Sequence, residues 1–189
     1  MTDWPRQYSC ADLNGLACGR YRLRPIHWDD RLPIREWRNA QLDVLRQLAP
    51  LTVAEQDRYF ETIVQPQLEQ AEPAQVLVAL LEDDRLIGYG ALVHVSWANR
   101  RAEVSFMTEG SRQDEATFRT DLAAFLELII EVARDRLNLH RLSTEAYAFR
   151  TVFIEVLESA GFQREGVLRD NVWIDGGFVD SVLHGRLLD

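Results

Sequence analysis

The sequence predicts a single mixed α/β domain, and three observations lead to this prediction. The apolar patterns follow the order strand, two helices, three-strand meander, helix, strand, helix and hairpin. Hydrophobic residues make up 47% of the 189 positions, which is enough for one sizeable core. No repeat, low-complexity segment or internal linker divides the chain. We therefore predict an N-terminal arm over residues 1–18 and one domain over residues 19–189.

The first third of the chain predicts one strand and two helices. Residues 21–26 alternate in the way that is typical of a strand, and apolar residues recur at roughly helical spacing over residues 30–48. A second helix is expected to begin after Thr52, because Thr52 and Glu55 have the spacing of a capping box. This second helix is expected to end near Pro66.

Three strands are expected to follow as a meander. Residues 75–81 form a continuous apolar run, and residues 86–95 and 102–107 are also strand-like. Only the short segments 82–85 and 97–100 separate these runs, and connections of this length join antiparallel neighbours. The middle of the chain therefore predicts an antiparallel sheet.

The last third of the chain predicts helices that alternate with strands. The expected elements are an amphipathic helix over 122–137, a strand over 139–146, a helix over 151–160 that ends at Gly161, and a hairpin over 162–188 around the turn 175–177. The apolar faces of the two helices would cover the sheet.

Composition and charge argue against several classes of protein. The net charge is −9 and the pI is about 5.0, whereas a nucleic-acid surface needs a basic face, so no nucleic-acid partner is expected. No apolar run approaches the ~20 residues that span a bilayer, and the N-terminus lacks a signal-peptide pattern, so we expect a cytoplasmic protein with no membrane partner. Cys10, Cys18 and the four histidines lack paired-ligand spacing, so no metal site is predicted.

Six short stretches carry a resemblance to a known family. They are YRLRP (21–25), RLIGYG (85–90), NRRAEV (99–104), LHRL (139–142), VLESAGF (156–162) and EGVLR (165–169). In this order they resemble the GNAT acetyltransferase superfamily from about residue 19 to the end, and specifically its ribosomal-protein alanine N-acetyltransferase branch. The segments EWRN (36–39) and LTVAE (51–55) also resemble the nucleotide-amino-sugar acetyltransferases of that superfamily.

The resemblance implies the GNAT fold, with a central mixed, mostly antiparallel sheet flanked by helices and a C-terminal β-hairpin. It also implies an enzyme, an N-acetyltransferase that moves an acetyl group from its co-substrate acetyl-CoA to a primary amine. The acceptor would be a small molecule, an amino sugar or a protein N-terminus. Two alternatives stay open. One is an acyltransferase whose donor is a carrier-protein thioester, and the other is a non-catalytic GNAT-fold module.

The resemblance also places the donor site. In the family, two neighbouring strands splay apart, and the pantetheine arm of the cofactor pairs with the exposed strand edge. Here this edge would be formed by Val104, Ser105, Phe106 and Met107, because unpaired backbone N–H and C=O groups accept an added strand. The N–H of Phe106 or Met107 would polarise the thioester carbonyl. The pyrophosphate would bind at the N-terminus of the following helix.

The predicted pyrophosphate loop departs from the family pattern Arg/Gln-x-x-Gly-x-Gly/Ala. It aligns either with residues 112–117 or with residues 117–122, and neither segment contains the expected glycines. The acids Asp114 and Glu115 would repel a pyrophosphate that they faced. The predicted cofactor contacts of this region are Arg112, Arg119, Thr120 and Arg150, and the three arginines could offset the repulsion. Arg150 stands where the family usually has an asparagine, and surface ion pairs are the alternative role for these arginines.

Glu103 is the predicted catalytic base, because a strand glutamate of many relatives lies near the acceptor amine. A partly buried carboxylate can take a proton from an ammonium group. The alternative for Glu103 is an ion pair with Arg100 or Arg101 across a turn.

The proton donor is less clearly marked in the sequence. The tyrosine that often protonates the CoA thiolate in the superfamily is replaced by Leu157. Tyr147 and Ser143 are the candidate substitutes, with core packing as the alternative for Tyr147.

The predicted acceptor wall and dimer surface complete the sequence-based expectations. Trp37, Arg38 and Asn39 are the candidate acceptor wall, with core packing as the alternative for Trp37. The C-terminal hairpin and the loop at Trp97 are candidates for a homodimer surface, which is common in the branch.

Overall fold

The computed structural model describes residues 4–42, 45, 47 and 49–188. Within these residues, eight strands form one sheet in the order β1-β2-β3-β4-β5-β6-β8-β7. The strands are β1 (Ala17–Cys18), β2 (Tyr21–Pro25), β3 (Val76–Glu82), β4 (Arg85–Ser96), β5 (Arg101–Thr108), β6 (Arg141–Tyr147), β7 (Gln163–Ile174) and β8 (Gly177–Leu187). All neighbouring strands are antiparallel except β5 and β6, which are parallel. The predicted mixed, mostly antiparallel sheet with a C-terminal hairpin is confirmed.

Five α-helices accompany the sheet in the described part of the chain. They are α1 (Arg31–Ala40), α2 (Val53–Tyr59), α3 (Gln65–Glu69), α4 (Glu115–Glu131) and α5 (Thr151–Ser159). A π-helical segment, Phe60–Val64, joins α2 to α3, and a second one, Val132–Arg136, extends α4. None of the described helices is long and apolar enough to cross a membrane.

Two predicted helix ends were wrong. The first helix ends at Ala40 rather than Leu48. The side chain of Asn39 bonds the backbone N–H and C=O of Leu51, and these bonds turn the chain. Positions 43, 44, 46 and 48 lie outside the described residues. The second helical run continues through Pro66 to the end of α3. Pro66 lies at the junction where the π-helical segment passes into α3.

The predicted arm over residues 1–18 packs onto the domain. Tyr8, Leu13 and Leu16 are buried in the main core, and the hydroxyl of Tyr8 bonds the backbone of Leu77. Strand β1 then pairs with β2. The boundary between arm and domain at residue 18 stays a prediction.

The two faces of the sheet bury different helices. Strands alternate their side chains, so even-numbered residues of β5 such as Phe106 pack beneath α4, where the Phe106 and Phe125 rings stack with centroids 4.5 Å apart. Odd-numbered residues such as Met107 join the second core, beneath α1. Gly90 permits the close approach of α4, because a Cβ there would lie 2.2 Å from the ring of Phe125.

Candidate active site

A gap opens in the sheet between β5 and β6. The parallel pairing of these strands covers only three residue pairs and ends at Glu103 and Ser143. Beyond that point residues 104–108 of β5 pair with β4 alone. The gap encloses a cavity of about 190 Å³, lined by Leu45, Glu103, Val104, Ser105, Phe106, Glu145, Ala146, Tyr147, Arg150 and Phe153. The edge of β5 on this side offers backbone groups to a ligand.

The two sides of the gap differ in chemistry. Strand alternation places Glu103, Ser105 and Glu145 on the α1 side of the sheet. On the opposite side, Val104 and Phe106 belong to the apolar core beneath α4 and α5. The gap therefore has an acidic entrance on one side of the sheet and an apolar one on the other.

Glu103 occupies the point where the two strands separate. Its side chain is half-buried and lines the cavity. Among the residues that the structure describes it forms no ion pair, since Arg100 instead bonds Asn138 through both its Nε and its Nη2 atoms. The alternative, an ion pair of Glu103 with Arg100 or Arg101 across a turn, is therefore not formed among the described residues, and Glu103 lines the gap instead.

The two candidate proton donors lie on β6, at different depths of the gap. Tyr147 is 8% exposed and lines the cavity near the start of α5, with its ring 5.8 Å from the ring of Phe149. Ser143 lies opposite Glu103 in the ladder, and its hydroxyl is 3.4 Å from the carbonyl oxygen of Ala102. Ser143 thus belongs to the closed end of the gap, whereas Tyr147 contacts the open cavity.

Arg150 also reaches the gap. It immediately precedes α5, and its guanidinium lies over the ring of Phe153, 4.5 Å from the ring centroid. Since Phe153 belongs to the core beneath α4 and α5, this cation lies toward the apolar side of the gap.

Arg112 takes part in a buried ion network, and its role as a cofactor contact stays a prediction. Its guanidinium donates two hydrogen bonds to Asp121 of α4, at 2.5 and 2.7 Å, and others to Glu82 of β3. Asp121 is completely buried and also accepts a bond from the hydroxyl of Tyr21. The hydrogen bonds to Asp121 raise the pKa of Arg112 above its ordinary value. The guanidinium therefore fastens the loop before α4 to the sheet.

The N-terminus of α4 is already capped by an acid. The carboxylate of Asp114 accepts a hydrogen bond of 3.0 Å from the N–H of Thr117, and this backbone bond lowers the pKa of Asp114. Arg119 lies on the next turn and pairs with Glu115 and Glu155, while the hydroxyl of Thr120 bonds its own helix. The position predicted for a pyrophosphate is thus already occupied by the carboxylate of Asp114.

The predicted acceptor wall on α1 lies outside the gap. Trp37 packs against the core beneath α1, and Asn39 holds the backbone of Leu51. Arg38 bonds the hydroxyl of Tyr89 and lines a separate cavity of about 290 Å³ between α1 and α2. Their role as an acceptor wall was predicted from the polar Trp-Arg-Asn sequence, and it stays a prediction.

Four residues of the gap were missed by the sequence-based prediction. They are Leu45, Glu145, Ala146 and Phe153. The alternation of β6 was a usable signal for Glu145, because it lies two residues after Ser143 and two before Tyr147 and so shares their face. Leu45 and Phe153 come from parts of the chain whose packing only the fold defines.

A parallel strand pair that separates within an antiparallel sheet is the feature that the sequence resemblance to GNAT-fold acyltransferases implied. The chain belongs to the GNAT acetyltransferase family, because the family described as "Acetyltransferase (GNAT) domain" matches residues 23–183. The predicted superfamily, the enzyme class of N-acetyltransferase and acetyl-CoA as co-substrate are confirmed by this membership. The pairing of β5 with β6 covers only three residues, and the free edge of β5 beyond it fits a pantetheine arm. The N-terminus of α4 is already capped by Asp114, so it is a weak fit for a pyrophosphate.

Two bacterial protein sequences resemble this chain. A probable N-acetyltransferase of Bacillus subtilis, YjcK, is 28% identical over 120 residues, which are 63% of this chain and 64% of that relative. An N-acetyltransferase of Bacillus licheniformis, p20, whose function is uncharacterised, is 23% identical over 93% of this chain and 97% of that protein. The match thus spans slightly under two thirds of the length of the first relative.

Solved structures of a spermidine N-acetyltransferase from Vibrio cholerae share the fold. The structure in complex with CoA and spermine has a TM-score of 0.77 at 18% identity, covering 90% of this chain and 97% of that one. A dodecameric structure of that enzyme has a TM-score of 0.75, also at 18% identity, covering 90% of this chain and 95% of that one. At this identity the likeness supports the fold only.

Proposed function

We propose that the protein transfers the acetyl group of acetyl-CoA directly to a primary amine, with Glu103 as the base. The observation that carries this proposal is the gap between β5 and β6, where an open strand edge lies beside the carboxylate of Glu103. The gap would hold the pantetheine arm along Val104, Ser105, Phe106 and Met107, so the thioester would lie next to Glu103.

Starting from an ammonium group, the reaction removes two protons from the nitrogen and supplies one to the leaving thiolate. Glu103 would take the proton that makes the amine an ammonium and release it to solvent. The neutral nitrogen would attack the thioester carbonyl carbon and then give its second proton to Glu103, which leaves the neutral amide. The carbon–sulfur bond then breaks and the thiolate leaves. Tyr147 is the proposed donor of a proton to this thiolate, because it lines the open cavity, whereas Ser143 lies at the closed end. A backbone N–H of Phe106 or Met107 would stabilise the carbonyl oxygen.

The acceptor is proposed to be a cationic amine. Two carboxylates, those of Glu103 and Glu145, line the acceptor side of the gap, and the chain carries a net charge of −9. The Vibrio cholerae enzyme of the same fold acetylates spermidine, which supports a polyamine. The sequence resemblance to ribosomal-protein alanine N-acetyltransferases supports a protein N-terminus as the other candidate, and an amino sugar is the third.

Acetyl transfer should be measured with acetyl-CoA and three matched acceptors: spermidine, a peptide with an N-terminal alanine, and glucosamine. Release of the CoA thiol and mass of the product report the reaction. We expect spermidine to be acetylated with the highest kcat/KM. Absence of acetyl transfer to all three, together with absence of CoA binding in calorimetry at millimolar concentration, would contradict the proposed function.

We predict that Asp114→Asn strengthens the binding of acetyl-CoA. Asparagine retains the cap of α4, but it removes a negative charge from the helix N-terminus where the pyrophosphate is proposed to bind. The Kd for acetyl-CoA should fall roughly two- to fivefold at low salt. Isothermal titration calorimetry measures this change, and Asp175→Asn, in the hairpin turn, is the control with the same change in charge. Equal Kd values for Asp114→Asn and the wild type would place the pyrophosphate elsewhere.

A homodimer through the C-terminal hairpin is a further part of the proposal. Trp173 and Phe178 are each 63% exposed and contact each other, with ring centroids 4.8 Å apart. An exposed aromatic pair on a hairpin is typical of an interaction surface, and a similar structure from Vibrio cholerae is dodecameric. Sedimentation velocity should give the mass of a dimer or larger assembly; a monomer at micromolar concentration would contradict this.

A further inference from the structure

A second cavity lies between α1 and α2, on the side of the sheet that holds the second core. It has a volume of about 290 Å³, and among the described residues it shares no lining residue with the gap between β5 and β6. We propose that this cavity binds a small organic carboxylate with a single aromatic ring. The inference goes beyond acetyl transfer, and it is supported by hydrogen-bond donors in the cavity, by the charge of Arg38 and by an aromatic lining.

Arg38 and Tyr89 form the polar part of the cavity lining. The Nε atom of Arg38 donates a hydrogen bond of 3.0 Å to Oε1 of Gln47, and its Nη1 atom donates one of 2.9 Å to the hydroxyl of Tyr89. The described residues provide no acceptor for Nη2 of Arg38 and none for the O–H of Tyr89. A carboxylate has two acceptor oxygens, so it can accept one hydrogen bond from each of these groups.

The charge of Arg38 has no ion-pair partner in the part of the chain that the structure describes. Glu55 also lines the cavity, but its Oε2 atom accepts hydrogen bonds of 2.8 Å from the N–H and 2.7 Å from the hydroxyl of Thr52, in the capping box of α2. A half-buried cation without a counter-charge is less favourable than a paired one. The cavity should therefore prefer an anionic ligand to a neutral ligand of the same shape.

The rest of the cavity lining is mainly apolar and aromatic. Ile34, Phe60 and Leu77 are buried in the second core and line the cavity from α1, the π-helical segment and β3. The rings of Tyr59 and Phe60 meet edge to face, with centroids 6.1 Å apart and an interplanar angle of 73°. The hydroxyl of Tyr59 bonds the side chain of Gln75, which fixes the Tyr59 ring. Such rings favour an aromatic ligand, because aromatic groups pack edge to face or offset against each other.

The size of the cavity limits the ligand. Its volume of about 290 Å³ is near the lower end of the roughly 300–1,000 Å³ that is typical of small-molecule sites. A single ring with a short carboxylate chain therefore fits the class of ligand, whereas coenzyme A is too large. Tyr59 is 37% exposed, so the cavity opens to solvent beside this ring.

The test compares 3-phenylpropionate with 3-phenylpropan-1-ol, which has the same ring and chain but a neutral head group. Isothermal titration calorimetry measures both Kd values for the wild type, first without coenzyme A and then with saturating coenzyme A. We expect the carboxylate to bind at least about tenfold more tightly than the alcohol, because its hydrogen bonds are charge-assisted. Coenzyme A should leave this ratio unchanged, since the two sites share no lining residue among those described.

Three variants test which groups hold the carboxylate. Arg38→Met should lower the ratio of the two affinities to about one, because it removes the charged donor. Tyr89→Phe keeps the ring and removes one neutral donor, so it should lower the ratio roughly two- to tenfold. Arg58→Met removes the same charge from an exposed position of α2 outside the cavity, and it should leave the ratio unchanged.

Two results with the wild type alone would overturn this inference, whether or not the variants fold. One is equal affinity for the carboxylate and the alcohol, and the other is absence of binding of 3-phenylpropionate at millimolar concentration. Displacement of 3-phenylpropionate by coenzyme A would place its site in the gap and would also overturn the inference. A folded Arg38→Met variant that keeps the preference of the wild type would remove Arg38 from the site and contradict the proposal.

Discussion

Glutamine in place of Glu103 is expected to lower kcat with the preferred amine by about 100-fold or more. The amide cannot accept the proton of the attacking amine, and general base catalysis contributes on this scale. The carboxylate is half-buried at the exact end of the β5–β6 ladder, and the described residues provide it with no ion-pair partner whose loss would disturb the fold. The Kd for acetyl-CoA should therefore stay within about twofold of the wild-type value.

Steady-state kinetics and calorimetry together check this expectation. The matched control is Glu165→Gln, which makes the same change on a strand outside the gap. A Glu103→Gln variant with wild-type kcat would remove Glu103 from catalysis. If the wild type also lacks acetyl transfer from any donor, the protein is better described as a non-catalytic GNAT-fold module. Transfer from a carrier-protein thioester but not from acetyl-CoA would instead favour the alternative donor.

Most of the fold follows from local patterns in the sequence. The meander of β3, β4 and β5 was predictable because short connections allow only antiparallel neighbours, and the hairpin of β7 and β8 because its turn carries two glycines. The end of α1 was not predictable, because it depends on hydrogen bonds between Asn39 and Leu51, twelve positions apart. Such contacts leave no periodic signal.

The candidate site was only partly predictable, for a related reason. Glu103 and the strand edge after it could be assigned because position along a strand fixes the face of a side chain. The ion pairs of Arg112 could not be predicted, since its partners Asp121 and Glu82 are 9 and 30 residues away along the chain. An arginine beside a phosphate loop and an arginine inside a buried ion network have the same local sequence.

Arg112→Met is expected to lower the free energy of unfolding by about 3 kcal/mol, because it leaves the buried carboxylate of Asp121 without its cation. The side chain of Asp121 is 0% exposed and that of Arg112 is 12% exposed, so water cannot replace the lost partner. This is a large part of the 5–15 kcal/mol that stabilises a typical domain. Chemical denaturation monitored by tryptophan fluorescence measures the change.

Two further variants test the cause of this loss. Asp121→Asn with Arg112→Met should be more stable than the sum of the single changes implies, because the double variant no longer buries an unpaired charge at this position. Arg119→Met removes the other arginine predicted to contact the cofactor, but its pairs with Glu115 and Glu155 are exposed, so stability should stay close to that of the wild type.

The network should also make stability depend on pH. Burial alone would raise the pKa of Glu82, but hydrogen bonds from Arg112 and Arg20 outweigh it, so this pKa lies below the ordinary value of 4.5. A carboxyl group whose pKa is lower in the folded state stabilises the fold above its ordinary pKa, and this stabilisation is lost as the pH falls below about 4.5. Arg112→Met should weaken that dependence. If Arg112 instead contacted the cofactor, its replacement would leave unfolding unchanged at every pH and raise the Kd for acetyl-CoA.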